Sequence, residues 1–217
     1  SRKKRPLLEP GNELSVKWQA RQEGNLGHFS VAEALDERAG RLMADPLALA
    51  GLSACTAILM EGLPEGEVKP GLYEATQVLL DCLPQSDVWP AVFIKWELGL
   101  LAALGYGLNL ETCALSGAND GLTHVSPRTG RAVRGSEAED YLDKLLPLPA
   151  FLTAANAPPT PIDIGHGFRL TGYFLTRRLF ADLNRDAPEA RYLMLDRLEK
   201  SGRLQLASVD QAEEDET

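Results

Sequence analysis

The segment from Trp96 to Gly117 constrains the fold of this chain more than any other. It begins as an apolar helix, and Gly105 and Gly107 then mark a stop and a turn, because glycine readily takes the left-handed conformation that ends helices. Cys113-Ala-Leu-Ser116 follows, where a zinc knuckle would have Cys-x-x-Cys. The segment therefore predicts a buried helix, a glycine turn and a knuckle-like loop in which one metal ligand is replaced.

The hydrophobic pattern before residue 35 is that of strands. Apolar and polar residues alternate from Leu14 to Arg21, which predicts that Trp18 faces the core while Lys17 and Arg21 face outward. A turn at Gly24-Asn25 separates this strand from a weaker one over 26–34. Because two or three strands are not stable alone in water, they either pack on the helical part or belong to a barrel whose first strands lie outside this chain.

Helical periodicity dominates after residue 35. Asp45 and Pro46 predict a helix start, Gly105 predicts a helix end, and Asp163 is predicted to cap a long amphipathic helix. Between helices, residues 106–135 are rich in turn formers, with two short apolar runs that favour a hairpin-like insertion over 122–125 and 131–133. The predicted helices cover 36–44, 47–63, 70–83, 87–104, 140–146, 163–184 and 188–200.

Size and composition favour one or two globular domains without a membrane span. The chain has 217 residues, of which 44% are hydrophobic, enough for a sizeable core. No apolar run approaches the roughly 18 residues needed to cross a bilayer, and no signal peptide is recognised. Three widely spaced cysteines argue against a disulfide framework and favour a reducing cytoplasm as the location.

Charge is unevenly distributed along this acidic chain, whose formal net charge is -9. Residues 1–22 hold six basic side chains against two acidic ones, whereas 201–217 are polar and acidic and are expected to be disordered. The basic segment could track a single-stranded nucleic-acid backbone by phosphate contacts, or it could be a solvated strand edge. The candidate DNA-binding residues are Arg2, Lys3, Lys4, Arg5, Lys17 and Arg21.

A second basic cluster lies on the long helix near the C-terminus. Arg169, Arg177 and Arg178 stand beside aromatic residues that include Tyr173 and Phe174. The pattern fits an amphipathic core helix with a solvated basic side. It also fits a groove in which a basic rim binds the carboxylates of an acidic peptide and an apolar floor takes an aromatic side chain.

The pattern supports neither a catalytic centre nor a metal site. Cys113 could be imagined with His124 or His166 as a dyad, but no nucleophile elbow or orienting partner accompanies it. Cys55 and Cys82 lie on apolar helix faces and are interpreted as core residues. Since Cys113 has no cysteine three residues later and no second close pair exists, no metal and no cofactor are expected.

Several stretches resemble the bacterial recombination mediator family RecO. The resemblance covers most of the chain, and the glutamate-leucine-glycine segment after Trp96 is its most specific part. The matching stretches are Lys4-Arg-Pro-Leu-Leu-Glu-Pro-Gly11, Trp96-Glu-Leu-Gly-Leu-Leu-Ala-Ala-Leu-Gly-Tyr-Gly-Leu108, Cys113-Ala-Leu-Ser-Gly117, Val125-Ser-Pro-Arg-Thr-Gly130, Leu146-Pro-Leu-Pro149 and Arg169-Leu-Thr-Gly-Tyr-Phe-Leu175.

The resemblance implies an α+β fold that is mostly α. Residues 1–34 would be part of an N-terminal OB-fold barrel, 35–200 a helical domain with the insertion at 106–135, and 201–217 an acidic disordered tail. Some relatives hold zinc through Cys-x-x-Cys pairs in the helical domain. Here Ser116 replaces the second cysteine and the later pair is absent, so Cys113 is expected to be structural.

The resemblance also implies a function without enzymatic turnover. RecO proteins bind single- and double-stranded DNA, anneal complementary strands, and with RecR help RecA to displace single-strand-binding protein (SSB). Arg2–Arg5 resemble the barrel segment that faces DNA, and Arg169 and Arg177 lie in the region that could contact the acidic C-terminal tail of SSB. The alternative is a helical interaction scaffold that binds an acidic partner peptide without binding DNA.

Overall fold

The computed structural model describes residues 6–22, 26–153 and 158–206, apart from the side chains of residues 31 and 32. Arg2–Arg5 and the acidic residues from Asp210 onward lie outside these ranges. The chain is about half helical, with two small antiparallel sheets. The strands are β1 (Glu13–Gln19), β2 (His28–Asp36), β3 (Leu122–Val125), β4 (Ala132–Arg134) and β5 (Leu146–Pro147). The α-helices are α1 (Arg38–Leu42), α2 (Pro46–Gly62), α3 (Leu72–Cys82), α4 (Trp89–Ala103), α5 (Pro161–Phe174) and α6 (Glu189–Lys200).

The N-terminal strands form a two-stranded hairpin in which Trp18 pairs with Phe29. Within the described ranges this sheet does not close into a barrel. The prediction that Trp18 faces the core is wrong, since 51% of its surface is exposed. The alternation of β1 defines two faces of the strand, but no described element covers the face that carries Trp18. Within the hairpin the neighbouring Phe29 ring packs on Trp18, at 4.7 Å between ring centroids, and the Gly27 backbone approaches its indole.

Charged side chains anchor this hairpin to the helices. Arg38 at the start of α1 is only 7% exposed and lies 3.1 Å from Asp36 at the end of β2 and 2.9 Å from Asp81 on α3. Asn12 accepts a hydrogen bond from the Ala39 backbone through Oδ1, at 3.0 Å. The end of the hairpin formed by Glu13 and Asp36 is therefore fixed to the helical part.

Helix starts follow the sequence signals with one correction. Asp45 caps α2 as predicted, accepting hydrogen bonds from Leu47 and Ala48. The predicted cap of α5 at Asp163 is wrong: Thr160 is the cap, and Asp163 sits three residues into a capping box with it. Sequence patterns place such boundaries only to within a few residues.

The core lies between α2, α4, α5 and α6, where large aromatic side chains are fully buried. Trp89 and Phe93 on α4 and Phe168 on α5 are at most 1% exposed, and the Phe93 ring lies 5.9 Å from that of Phe168. Burying each such side chain stabilises the fold by roughly 1.5–3 kcal/mol. Gly167 allows the close approach of α5 to α4, because a Cβ there would lie 2.7 Å from Ile94. The buried helix predicted from the Trp96 segment is confirmed, and Gly105 ends it with φ +90°.

The predicted insertion between helices is confirmed as a small antiparallel sheet in the order β4-β3-β5. The helix predicted over 140–146 is instead a 3-10 helix, Glu139–Lys144, followed by β5. Proline is disfavoured in a helix interior, which fits the extended conformation at Pro147. None of the helices in the described ranges is long and apolar enough to cross a membrane.

Candidate functional sites

The hairpin presents two basic side chains near its turn. Lys17 and Arg21 are exposed, and neither forms an ion pair with another described residue. Acidic residues lie toward the other end of the hairpin, where Glu13 lies opposite Asp36 across the two strands and Ser15 lies opposite Glu33. Among the described residues, Lys17 and Arg21 therefore lie nearer the turn than these carboxylates. The other four candidate cations, Arg2–Arg5, are outside the described residues and stay a prediction.

An exposed aromatic pair lies on the other face of the same hairpin, because Trp18 directly follows Lys17 in a strand whose side chains alternate. Trp18 is 51% and Phe29 64% exposed, and their planes are inclined at 57°. Exposed aromatic rings and basic side chains are the two features that binding sites for single-stranded nucleic acid combine. The sequence did not predict this exposed aromatic pair, because the alternation of apolar and polar residues in β1 was interpreted as burial of Trp18.

A basic groove lies where α5 meets the insertion. The cavity has a volume of about 440 Å³, with an apolar floor made by Leu145, Leu146 and Tyr173. Its lining includes three cations and one carboxylate. The cations are Lys144, Arg169 and Arg177, and the carboxylate is Asp143. The three cations form no ion pair within the described ranges.

A more apolar cavity of about 290 Å³ adjoins this groove, since Arg169, Gly172 and Thr176 line both. Phe168 and Leu195 provide apolar walls. The two cavities together offer basic side chains for carboxylates and an adjacent pocket for an apolar side chain. The structure thus brings Arg169 and Arg177 together and adds Lys144, which sequence analysis missed because it lies 25 residues before Arg169.

Arg178 is separated from the other two arginines. Its Nη2 donates a hydrogen bond of 2.6 Å to the Arg128 carbonyl, and its guanidinium lies 6.0 Å from the centroid of the Phe174 ring. Consecutive residues of an α-helix point about 100° apart and residues nine apart about 180° apart, so helical geometry alone separates Arg178 from Arg177 and Arg169. A π-helical turn, Leu175–Phe180, continues α5 and contains both Arg177 and Arg178.

A buried ion pair supports the floor of the apolar cavity. Glu97 on α4 is 0% and Arg191 on α6 is 3% exposed. Arg191 Nε donates to Glu97 Oε1 at 2.6 Å, and Nη2 donates to Oε2 at 3.0 Å and to the Phe168 carbonyl at 3.0 Å. The buried hydroxyl of Thr171 on α5 also donates to Glu97. Three helices are therefore joined by one polar network.

The knuckle-like loop contains a mixed polar cluster. Cys113 is buried, its Sγ lies 3.3 Å from Glu137 Oε2, and Arg134 Nη1 lies 3.2 Å from Glu137 Oε1. A hydrogen bond from Ser116, with others from Cys113 and Arg134, outweighs burial and lowers the pKa of Glu137 below its usual value. Burial raises the pKa of the Cys113 thiol, but N–H groups of Ser116, Arg134 and Leu115 outweigh this effect, so the net shift is downward.

This cluster does not have the donor set of a zinc site. Zinc in proteins is bound by cysteine, histidine or carboxylate ligands, usually four of them. Here Cys113 and Glu137 could serve, but Ser116 offers only a neutral hydroxyl, and the guanidinium of Arg134 is a cation that repels a metal ion. Nowhere in the described parts of the chain do three or more His, Cys, Asp or Glu side chains form a group suited to a metal.

Comparison with known proteins gives consistent matches over most of the chain. A family model described as "Recombination protein O C terminal" matches residues 43–187. A relative named DNA repair protein RecO, from Hyphomonas neptunium, is 56% identical over 199 residues, covering 91% of this chain and 82% of the relative. Relatives of the same name from Phenylobacterium zucineum and Caulobacter vibrioides are 47% and 44% identical over 204 residues, each covering 94% of this chain and 84% of the relative.

Proposed function

The chain belongs to the RecO family of DNA repair proteins, and we propose that it acts as a DNA-binding mediator of recombination. In this proposal it binds single- and double-stranded DNA, anneals complementary strands, and with RecR promotes the loading of RecA onto SSB-coated strands. The activity changes which strands are paired and which protein covers them, and it makes or breaks no covalent bond.

The observation that carries the DNA-binding part is an exposed aromatic pair on a hairpin that also exposes two cations, neither of which forms an ion pair with another described residue. Lys17 and Arg21 would contact phosphates, while Trp18 and Phe29 would stack against bases. Phosphate contacts release counterions and do not depend on sequence, and stacking tolerates every base. Binding without sequence preference is what an annealing protein requires, because it must act on any broken stretch of the genome.

Fluorescence anisotropy with a labelled single-stranded oligonucleotide, measured over a series of salt concentrations, tests this contact. Replacing both cations in a Lys17→Gln/Arg21→Gln variant should reduce the slope of log affinity against log salt by roughly 0.7 for each lost phosphate contact. Trp18→Ala should weaken binding by roughly 1–3 kcal/mol with little change in slope. Lys200→Gln/Arg197→Gln on α6 removes two positive charges as well and serves as the control. Unchanged affinity and slope in the hairpin variants would exclude the hairpin as the contact.

Strand annealing is measured separately with complementary oligonucleotides coated with SSB. The wild-type protein should accelerate duplex formation, and the hairpin variants should accelerate it less, because annealing requires both strands to be held. Absence of acceleration by wild-type protein that does bind DNA would refute annealing while leaving the binding site intact.

We propose further that the basic groove receives the acidic C-terminal tail of SSB. Three cations, which form no ion pair with another described residue, line a groove with an apolar floor, and the adjoining cavity can take an apolar side chain. An acidic peptide with an apolar or aromatic tip matches this arrangement of charge and shape. The groove thus supports the peptide-binding interpretation of the second basic cluster.

Titration with a peptide of the SSB tail tests the groove. Arg169→Glu/Arg177→Glu should abolish binding that is detectable with wild-type protein, because the substitutions place negative charge beside the carboxylates. Arg178→Gln is the matched control, since its side chain binds the Arg128 carbonyl instead of lining the groove. If Arg178→Gln weakens binding as much as the double reversal, the peptide lies elsewhere.

The groove alone would also serve a helical interaction scaffold that binds an acidic peptide without DNA. A gel shift at two salt concentrations separates the two functions. The mediator should retard DNA more strongly at the lower salt concentration, whereas the scaffold should not retard it at either.

A further inference from the structure

Two short turns of this chain face each other with the spacing of a paired metal site. The first runs from Cys113 to Ser116, and the second runs from Arg134 at the end of β4 to Glu137 in the 3-10 helix Gly135–Glu137. Each turn therefore offers two side chains three residues apart, which is the spacing of Cys-x-x-Cys pairs in structural zinc sites. The sequence alone does not indicate the second turn as a ligand pair, because Arg134 is not a metal-ligand type.

The backbone of both turns is arranged around the Cys113 sulfur. The N–H groups of Leu115 in the first turn and Arg134 in the second both donate to Sγ, at 3.4 Å each. The first turn is closed by hydrogen bonds between Gly117 N and Cys113 O at 3.0 Å and between Cys113 N and Ala118 O at 2.7 Å. A buried sulfur thus lies between two turns that both direct donors toward it.

The second turn supplies a cation and an anion of its own. The Arg134 guanidinium bridges Glu137 at 3.2 Å and Asp120 at 3.0 Å. Gly121, whose φ is +61°, lies close to the guanidinium, since an added Cβ there would lie 3.3 Å from Arg134 Nε. Glu137 in turn contacts Cys113 and Ser116 of the first turn. One chain of polar contacts therefore runs from the first turn through Glu137 to Arg134 and on to Asp120.

We propose that the Arg134–Glu137 ion pair does the work of a structural metal ion here, joining the two turns of a knuckle that holds no metal. The guanidinium supplies the positive charge, and Glu137 supplies the link to Cys113 and Ser116. A metal ion would tie four ligands to one centre. In this protein a series of side-chain hydrogen bonds and ion pairs instead joins the same four positions, Cys113, Ser116, Arg134 and Glu137, and the charges belong to side chains.

A double-mutant cycle tests the link. Arg134→Leu and Glu137→Gln are each made alone and then combined, and the melting temperature of the intact protein is measured with and without EDTA. Each single change should lower Tm by roughly 2–4 °C, the scale of one lost interaction in a chain of this length. The combined variant should lower Tm by clearly less than the sum of the two single decreases. EDTA should not change the Tm of the wild-type protein or of any of the three variants. Arg131→Leu changes an exposed arginine directly before β4, is the matched control and should leave Tm unchanged.

Rebuilding the metal site gives an independent test. The triple variant Ser116→Cys/Arg134→Cys/Glu137→Cys, purified with zinc, should bind zinc stoichiometrically by elemental analysis and gain a Tm that EDTA lowers. Adding Cys113→Ser to the triple variant should remove most of that zinc. Stoichiometric zinc in wild-type protein would overturn the proposal, as would strict additivity in the double-mutant cycle or a folded triple variant that takes up no zinc. If the triple variant does not fold, the double-mutant cycle decides alone.

Discussion

Removing the guanidinium of Arg191 should be among the most destabilising single changes in this protein. Arg191→Met keeps the apolar length of the side chain but deletes the donors to Glu97, Thr171 and the Phe168 carbonyl. Glu97 would then be a carboxylate with 0% exposure and only the Thr171 hydroxyl as partner. Breaking one side of a buried pair costs about 3–5 kcal/mol, because the remaining charge stays buried without compensation.

The loss can be measured by urea unfolding followed by tryptophan fluorescence, since Trp89 and Trp96 are both buried. It corresponds to a fall in Tm of roughly 6–20 °C at about 2–4 °C per kcal/mol for a chain of this size. The double variant Glu97→Leu/Arg191→Met removes both charges and should regain most of the lost stability, because apolar replacement of a whole buried pair is often neutral.

Lys200→Met provides the matched control. It deletes a cation from the same helix, but the Lys200–Asp196 pair has side chains 73% and 50% exposed, so the cost should stay below about 1 kcal/mol. The reasoning fails if Arg191→Met costs no more than this control, or if the double variant loses as much as the sum of its single changes.

Three further predictions concern other parts of the fold. Burial raises the pKa of Cys55 to about 12, so the folded state keeps a proton that the unfolded state loses near its ordinary pKa of 9.0. The free energy of unfolding should therefore fall as pH rises above about 9. Cys55→Ala should remove the contribution of this thiol to that fall, as measured by denaturant unfolding at several pH values. Gly165→Ala would place a Cβ 2.1 Å from the Gln205 carbonyl oxygen and should make the chain after residue 200 sensitive to limited proteolysis. A Cβ at Gly99 would meet no neighbouring element within 4 Å, so Gly99→Ala is the control and should stabilise the protein by roughly 0.4–1 kcal/mol. Arg38→Met should reduce hydrogen-exchange protection in β1 and β2 while leaving α4 protected, because Arg38 links the hairpin to α3.

Local signals predicted the elements of this fold well. Asp45 and Pro46 identified the start of α2, Gly105 identified the end of the buried helix, and the turn-rich composition of 106–135 identified the insertion. Each signal acts through a neighbouring backbone group, so the sequence contains all that is needed to interpret it.

The structural features that the sequence did not predict depend on residues distant in the chain. Alternation in β1 shows which residues share a face but not whether another layer covers that face, so the exposure of Trp18 could not be predicted. The pairing of Glu97 with Arg191 joins positions 94 residues apart. Arg178 donates a hydrogen bond to the Arg128 carbonyl, 50 residues earlier in the sequence, so its distance from the groove also depends on a distant partner.

The separation between Glu97 and its partner has a consequence for synthesis. A ribosome makes Glu97 well before Arg191, and the peptide emerging in that interval contains α4 and α5 but not α6. During this time the carboxylate has no guanidinium to bind, so burying it is unfavourable and α4 is expected to stay incompletely packed. The native core can therefore form only after α6 has left the exit tunnel, and a chain released before that point would expose the apolar surfaces on which chaperones and proteases act.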